Sequence, residues 1–212
     1  MYVSFNPPDG YAPSMPTTPR RDAARNRDRL ITAARHCFAT LGPDAPLEDI
    51  ARAAGVSRTT LHRHFEARED LAAAVLEQNV ADIESRARKL LDVTDGLERL
   101  FHYLLDVQAE APWLARFVSA DAVPPETRTL GDRTAAAIEP LVDQARARGV
   151  LWPELGTEDV LLALPMAMAA QMARQHPAST HRSDHVRTVL HRGLFTTDPP
   201  RRRPDETKRG EG

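Results

Sequence analysis

Apolar residues recur along this chain at intervals of three and four and nowhere alternate long enough for a strand, a pattern that confines it to helices. The first set, after Asn26, is Leu30, Ile31, Ala34, Cys37, Phe38 and Leu41, one face of a helix that ends at Gly42-Pro43. A short second helix runs from Pro46 to Ala54. Glu48 and Asp49 complement its dipole, Leu47, Ile50, Ala51 and Ala54 face inward, and Gly55 stops it. Ser57 caps a third helix, Arg58 to Phe65, and Ala67 to about Lys89 reads as a longer fourth. Further periodic stretches at Leu97–Gln108, Trp113–Ala120, Thr127–Arg148, Thr157–Arg174 and Ser183–Phe195 are each bounded by Pro or Gly. The sum is an all-α chain of about nine helices.

Composition narrows the class. With 212 residues and 42% apolar side chains, the chain has enough core for one domain or two small ones. Its single cysteine, Cys37, excludes a disulfide framework and a multi-cysteine zinc site and sets the cytoplasm as the expected compartment. The longest apolar run, Val160 to Ala170, is broken by Pro165 and falls short of the roughly 18 residues of a membrane span. The first nineteen residues hold five prolines and no Lys or Arg, so they are not read as a signal peptide. Together with 196–212 they are expected to be disordered. Met15, just before the first charged run, is the expected translation start.

Net charge is −2, so any attraction to nucleic acid must be local. Residues 20–70 carry ten Arg against eight acids, whereas 71–195 carry thirteen basic side chains against seventeen acidic ones. The sign therefore changes along the chain. Residues 47–65, LEDIARAAGVSRTTLHRHF, form a short helix, a turn with Gly55 and a short capped helix, the anatomy of a helix-turn-helix. Gly55 supplies the positive φ of the turn, Val56 plugs the angle, and Leu61 and Phe65 anchor the second helix. The opposite face, Arg58, Thr59, His62 and Arg63, is left for solvent or a groove. Within 52–68, Arg52, Arg58, Arg63 and Arg68 stand against Glu66 alone.

From Asp49 to Leu71 the string I-A-x-x-A-G-V-S, then T-L-x-R-H-F, then E-D-L, strongly resembles the DNA-binding domain of TetR-family transcriptional regulators, and more loosely so from Arg25 to Ala74. The resemblance implies a recognition helix from Ser57 to His64, with Arg58 and Thr59 nearest the base edges of double-stranded DNA. It implies phosphate contacts from Thr60, His62, His64 and Arg68, with Arg63 on the same face. His62 stands where the family commonly has Tyr and Arg68 where it has Lys, and protonation of His62 would strengthen a phosphate contact. Pro46 replaces a frequent Thr or Ser cap, a loss of about 1 kcal/mol. An arm of Arg20, Arg21, Arg25, Arg27 and Arg29 reaches toward the backbone or minor groove, or is a solvated tail.

The same resemblance divides the chain into the disordered 1–19, a DNA-binding domain at 20–70, a helical ligand-binding and dimerisation domain at 71–195, and the tail 196–212. Residues 157–174 are apolar nearly all round, so one side faces the chain's own core and the other a second copy. The dimer interface is assigned to Leu162, Ala163, Ala167, Ala170, Val186, Val189 and Leu190, with Phe195. Pro165 should bend its helix. A pocket for an unknown small-molecule effector is assigned to Phe101, Leu104, Trp113, Phe117, Met166, Met168 and Met172, with His102, Tyr103, Gln108 or Gln171 as polar selectors. Plain core packing is the competing account of each.

No phosphate loop, nucleophile elbow or dinucleotide fingerprint occurs, and no cofactor is expected. His181 and His185 are spaced i,i+4 but lack the Glu of a zinc-protease motif, so with His176 and His191 they are read as surface rather than metal ligands. Cys37 is read as inert core. The expected function is a homodimeric repressor released from a palindromic operator by a small molecule. The alternative is a ligand-binding protein or enzyme that keeps the fold without DNA binding.

Overall fold

The computed structural model describes residues 19–110, 125–172 and 180–199. Eight helices occur among them: α1 (Pro19–Leu41), α2 (Leu47–Ala54), α3 (Arg58–His64), α4 (Arg68–Leu90), α5 (Gly96–Glu110), α6 (Pro125–Ala147), α7 (Thr157–Met172) and α8 (Thr180–Leu194). The expected helix at Trp113–Ala120 and most of the two ends lie outside the described residues. One isolated bridge pairs Leu151 with Phe195. Helix α1 begins seven residues before Asn26, because Asp22 complements the dipole of its first turn and the apolar period was too thin there to show.

Two cores share α4. The first joins Leu30, Ala34 and Phe38 of α1 to Ile50 of α2, Leu61 of α3, Phe65, and Leu71 and Val75 of the first half of α4. The second joins Ile83 and Ala87 of α4 to Leu100, Phe101 and Leu104 of α5, Leu141 of α6, Val160 of α7, and Leu194 and Phe195. Cys37 is a buried free thiol in the first core, and burial, with the Asp49 charge adding to it, raises its pKa. Pro140 and Pro165 lie inside α6 and α7 without ending them. Gly96 starts α5 against the Leu90 carbonyl, where any side chain would collide with backbone.

Buttresses from both sides fix α4. From α1, Arg35 Nη2 reaches Asp82 at 3.2 Å, and Gln78 holds the other Asp82 oxygen at 3.0 Å. From α6, Arg133 forks onto Glu84 at 2.8 and 3.1 Å and onto Glu77 at 2.5 Å, holding the Glu84 carboxyl below its usual pKa.

His191 is the one buried polar side chain among the described residues. Its Nε2 lies 3.1 Å from the Thr197 carbonyl, its Nδ1 3.1 Å from His102 Nε2, and His102 Nδ1 3.1 Å from Arg187 Nη2. A carbonyl only accepts and a guanidinium only donates, so every proton in this chain is assigned by its ends. Arg187 donates to His102, His102 to His191, and His191 to Thr197, with both imidazoles neutral. Arg187 also pairs with Asp106 at 2.6 Å, and Glu98 lies 3.7 Å from His191 and accepts the Thr197 hydroxyl. The residues just past α8 are thus tied into the fold rather than part of a tail. Thr196 adds its N–H to the Val150 carbonyl at 2.9 Å and its hydroxyl to that of Gly149 at 2.7 Å.

Candidate nucleic-acid interface

The turn between α2 and α3 sets the site. Gly55 sits at φ 62°, ψ 39°, its N–H bonded to Arg52 O at 3.0 Å, and Val56 N–H closes onto Ala51 O at 3.0 Å. This left-handed closure ends α2 and turns the chain at once. Ser57 Oγ then accepts the Thr60 N–H at 3.1 Å to start α3. Pro46 is the residue flanking α2 rather than its first turn, and no side chain caps that helix. At the start of α4 the Asp70 carboxylate accepts the Ala67 N–H at 2.9 Å.

Leu61 and Phe65 are buried, which turns Arg58, Thr59, His62 and Arg63 outward, all exposed. Arg58 Nη1 pairs with Glu48 of α2 at 2.9 Å, and its Nε donates to His62 Nε2 at 3.4 Å, a bond that requires that nitrogen unprotonated. Thr60 is half-buried, its hydroxyl 2.9 Å from Ser57 Oγ. His64 is half-buried, with Nε2 buried and without a partner; burial first, then Arg63 and Arg27, lower its pKa. Arg68 pairs with Asp44 at 3.3 Å, and its Nε is likewise buried without a partner. Arg52 pairs with Asp49 at 2.8 Å, and Arg63 has no ion pair among the described residues. The formal positive patch is therefore largely self-neutralised. Exposed pairs of this kind are worth roughly 0–1 kcal/mol, so phosphates and base edges can replace the carboxylates.

Two members of the expected arm belong to the head instead. Arg27 places its guanidinium 4.6 Å from the Phe65 ring centre, and Arg29 donates to the Gly55 carbonyl at 3.4 Å. Both are carried by α1, which is already helical from Pro19. Sequence reading missed the pairing of Glu48 with Arg58 because it depends on how α2 and α3 cross. The i,i+4 spacing of Arg58 and His62 was the one visible signal.

In the helical body, Phe101, Leu104 and Met168 are buried; Phe101 and Leu104 belong to the second core and line neither of two clefts beside α5 among the described residues. Their spacing faces the protomer's own interior. Trp113 and Phe117 lie outside the described residues, as does the side chain of Met172. His102 and Tyr103 do line clefts beside α5. Ala163 and Ala167 are buried on the inner stripe of α7, so they face the second core and not the exposed side, and Phe195 is buried with them. Ala170, Val186 and Leu190 are half-buried, whereas Leu162, Met166 and Val189 are 58, 54 and 54% exposed. Among the described residues no three His, Cys, Asp or Glu side chains are grouped to hold a metal, and no helix is long and apolar enough to cross a membrane.

Residues 30–75 match the family described as bacterial regulatory proteins, tetR family. The chain is 28% identical to the HTH-type transcriptional repressor LfrR of Mycolicibacterium smegmatis, over 81% of this chain and 92% of that one. It is 37% identical over 76 residues to the HTH-type transcriptional activator FasR of the same organism, 35% of each chain. The crystal structure of a TetR transcription regulatory protein from Mycobacterium vanbaalenii superposes with a TM-score of 0.64 at 26% identity, covering 83% of this chain and 98% of that one. These relatives are transcriptional regulators and not enzymes. With the turn at Gly55, the anchored α3 and the two cores on α4 all in agreement with them, this chain is similar to the TetR-family DNA-binding transcriptional regulators along most of its length.

Proposed function

We propose that the protein is a cytoplasmic homodimeric repressor whose two α3 helices read successive major grooves of a palindromic operator. The carrying observation is the outer face of α3, where Arg58, Thr59, His62 and Arg63 are exposed on a helix anchored by Leu61 and Phe65. Arg58 and Thr59 are the base readers; Thr60, His62, Arg63, His64 and Arg68 hold phosphates. Repression is favoured over activation because the likeness to the repressor LfrR runs along most of the chain and that to the activator FasR covers 35% of it. The second copy docks on the exposed apolar side chains Leu162, Met166 and Val189. Residues 20–70 act as the reading head and 71–195 as the body. A small molecule bound in the body shifts α4, moves the heads off the roughly 34–36 Å groove repeat, and releases DNA.

Selection of duplexes from a random library at about 150 mM salt tests this reading, since non-specific contacts weaken steeply there. A palindrome is expected. Arg58→Ala should then lose discrimination at one base pair by roughly 1–3 kcal/mol, and His64→Ala should weaken all sequences alike. Folded, dimeric protein that selects no sequence overturns the proposal and leaves a helical protein that has lost DNA binding.

A further inference from the structure

Head and body are joined through α4, and α1 and α5 face each other across a cleft on its flank of about 510 Å³, within the range of small-molecule sites. Arg35, His36 and Ala39 of α1 form one wall, Tyr103 and Val107 of α5 the other, and Asn79 of α4 lies with them. The lining holds a guanidinium, an imidazole, a carboxamide and a phenol, and no carboxylate. The neighbouring cleft along α5 has the opposite character, with Asp95, Glu98, Asp106 and Asp198 against Arg86 and Arg99. Arg35 gives Nη2 to Asp82 at 3.2 Å, yet its Nε is buried without an acceptor. A ligand that draws the guanidinium out of its pairing with Asp82 would also bring that N–H to an acceptor.

We propose that this joint cleft is the effector site and that the effector is a small organic monoanion, a carboxylate on an apolar body. The inference rests on the ligand-released repressor described above, places its ligand at the joint of head and body rather than inside the body, and names the ligand class. The carboxylate takes Arg35 in place of Asp82, with the His36 and Asn79 groups as further donors, and the apolar body lies against Ala39, Val107 and the Tyr103 ring. A ligand shifts an equilibrium only by its differential affinity for the two arrangements. Here one wall belongs to the head and the other to the body, so any swing of the head reshapes the cleft. Drawing Arg35 away from Asp82 also removes the ion pair that braces α1 against α4, two helices that share the first core with α3.

Isothermal titration calorimetry on the full chain, with sodium octanoate and sodium 2-naphthoate as probes and octylamine as the charge control, tests the site. Either anion should bind and octylamine should not. Arg35→Gln should weaken the anion by about tenfold or more, the value of a charge-assisted hydrogen bond. Ala39→Phe, which fills the cleft from an exposed position, should remove binding, and both variants should unfold as cooperatively as the parent. Binding of neither anion, comparable binding of octylamine, or unchanged affinity in Arg35→Gln overturns the inference. The two readings fail separately. Protein that selects a palindrome but ignores both anions remains a repressor without this site, and protein that binds the anion through Arg35 yet selects no duplex keeps the site and loses the repressor.

Discussion

Protonating His102 would set two N–H groups against each other, since its Nδ1 already accepts from Arg187 while its Nε2 donates to His191. Burial, then the Arg187 charge, pushes His102 down from 6.5 to about 4, and burial lowers His191 as well. A histidine kept neutral by the fold binds its proton more readily when unfolded. Its stabilisation is therefore complete above the unfolded pKa and is lost as pH falls from 6.5 toward about 4, on the order of 1–2 kcal/mol for His102 once solvent screening is allowed for. Urea denaturation at pH 7.5 and pH 5 should show this loss, and His102→Gln should flatten most of it. A parent protein equally stable at both pH values would count against the relay. Glu84 works at the acid end. Its carboxyl is depressed by Arg133, so its share is present above about 4.5 and disappears as pH drops below that.

At the scale of elements, the turn between α2 and α3 was legible because it depends on local chemistry. Only Gly takes φ 62° without penalty, and Ser57 caps whatever follows. Gly55→Ala should cost roughly 1–2 kcal/mol in a urea melt, and more through crowding against the Arg29 guanidinium; a neutral result would mean that the turn relaxes. The start of α1 was not legible, because Pro19 to Arg25 have too few apolar residues to show a period. The inner and outer stripes of α7 were not separable either. With apolar residues all round, the periodicity does not say which side meets the protomer's own core, and Ala163 and Ala167 fell on the inside while Leu162 and Met166 fell outside. For the same reason Phe101 and Leu104 read as pocket or core alike until α8 was placed behind them. Pairings across helices, such as Glu48 with Arg58 or Arg133 with Glu77 and Glu84, depend on crossing angles that spacing within one helix does not encode.

The whole molecule leaves Leu162 and Met166 on α7 and Val189 on α8 largely uncovered, although each would favour burial by roughly 1.5–3 kcal/mol. The proposed dimer covers them. Met166→Glu should shift sedimentation from dimer to monomer and weaken operator binding strongly, with helix content by circular dichroism unchanged; a dimer that survives both Met166→Glu and Leu162→Glu would place the interface elsewhere. Cys37 gives this geometry a convenient ruler. As the chain's one thiol, shielded in the first core and with its thiolate disfavoured, it should stay silent toward maleimide and methanethiosulfonate reagents at neutral pH. A nitroxide attached after Thr59→Cys would then report from α3 alone, without prior removal of the native thiol. Dipolar spectroscopy between the two labels could follow the spacing of the reading heads directly, with and without an anion in the joint cleft.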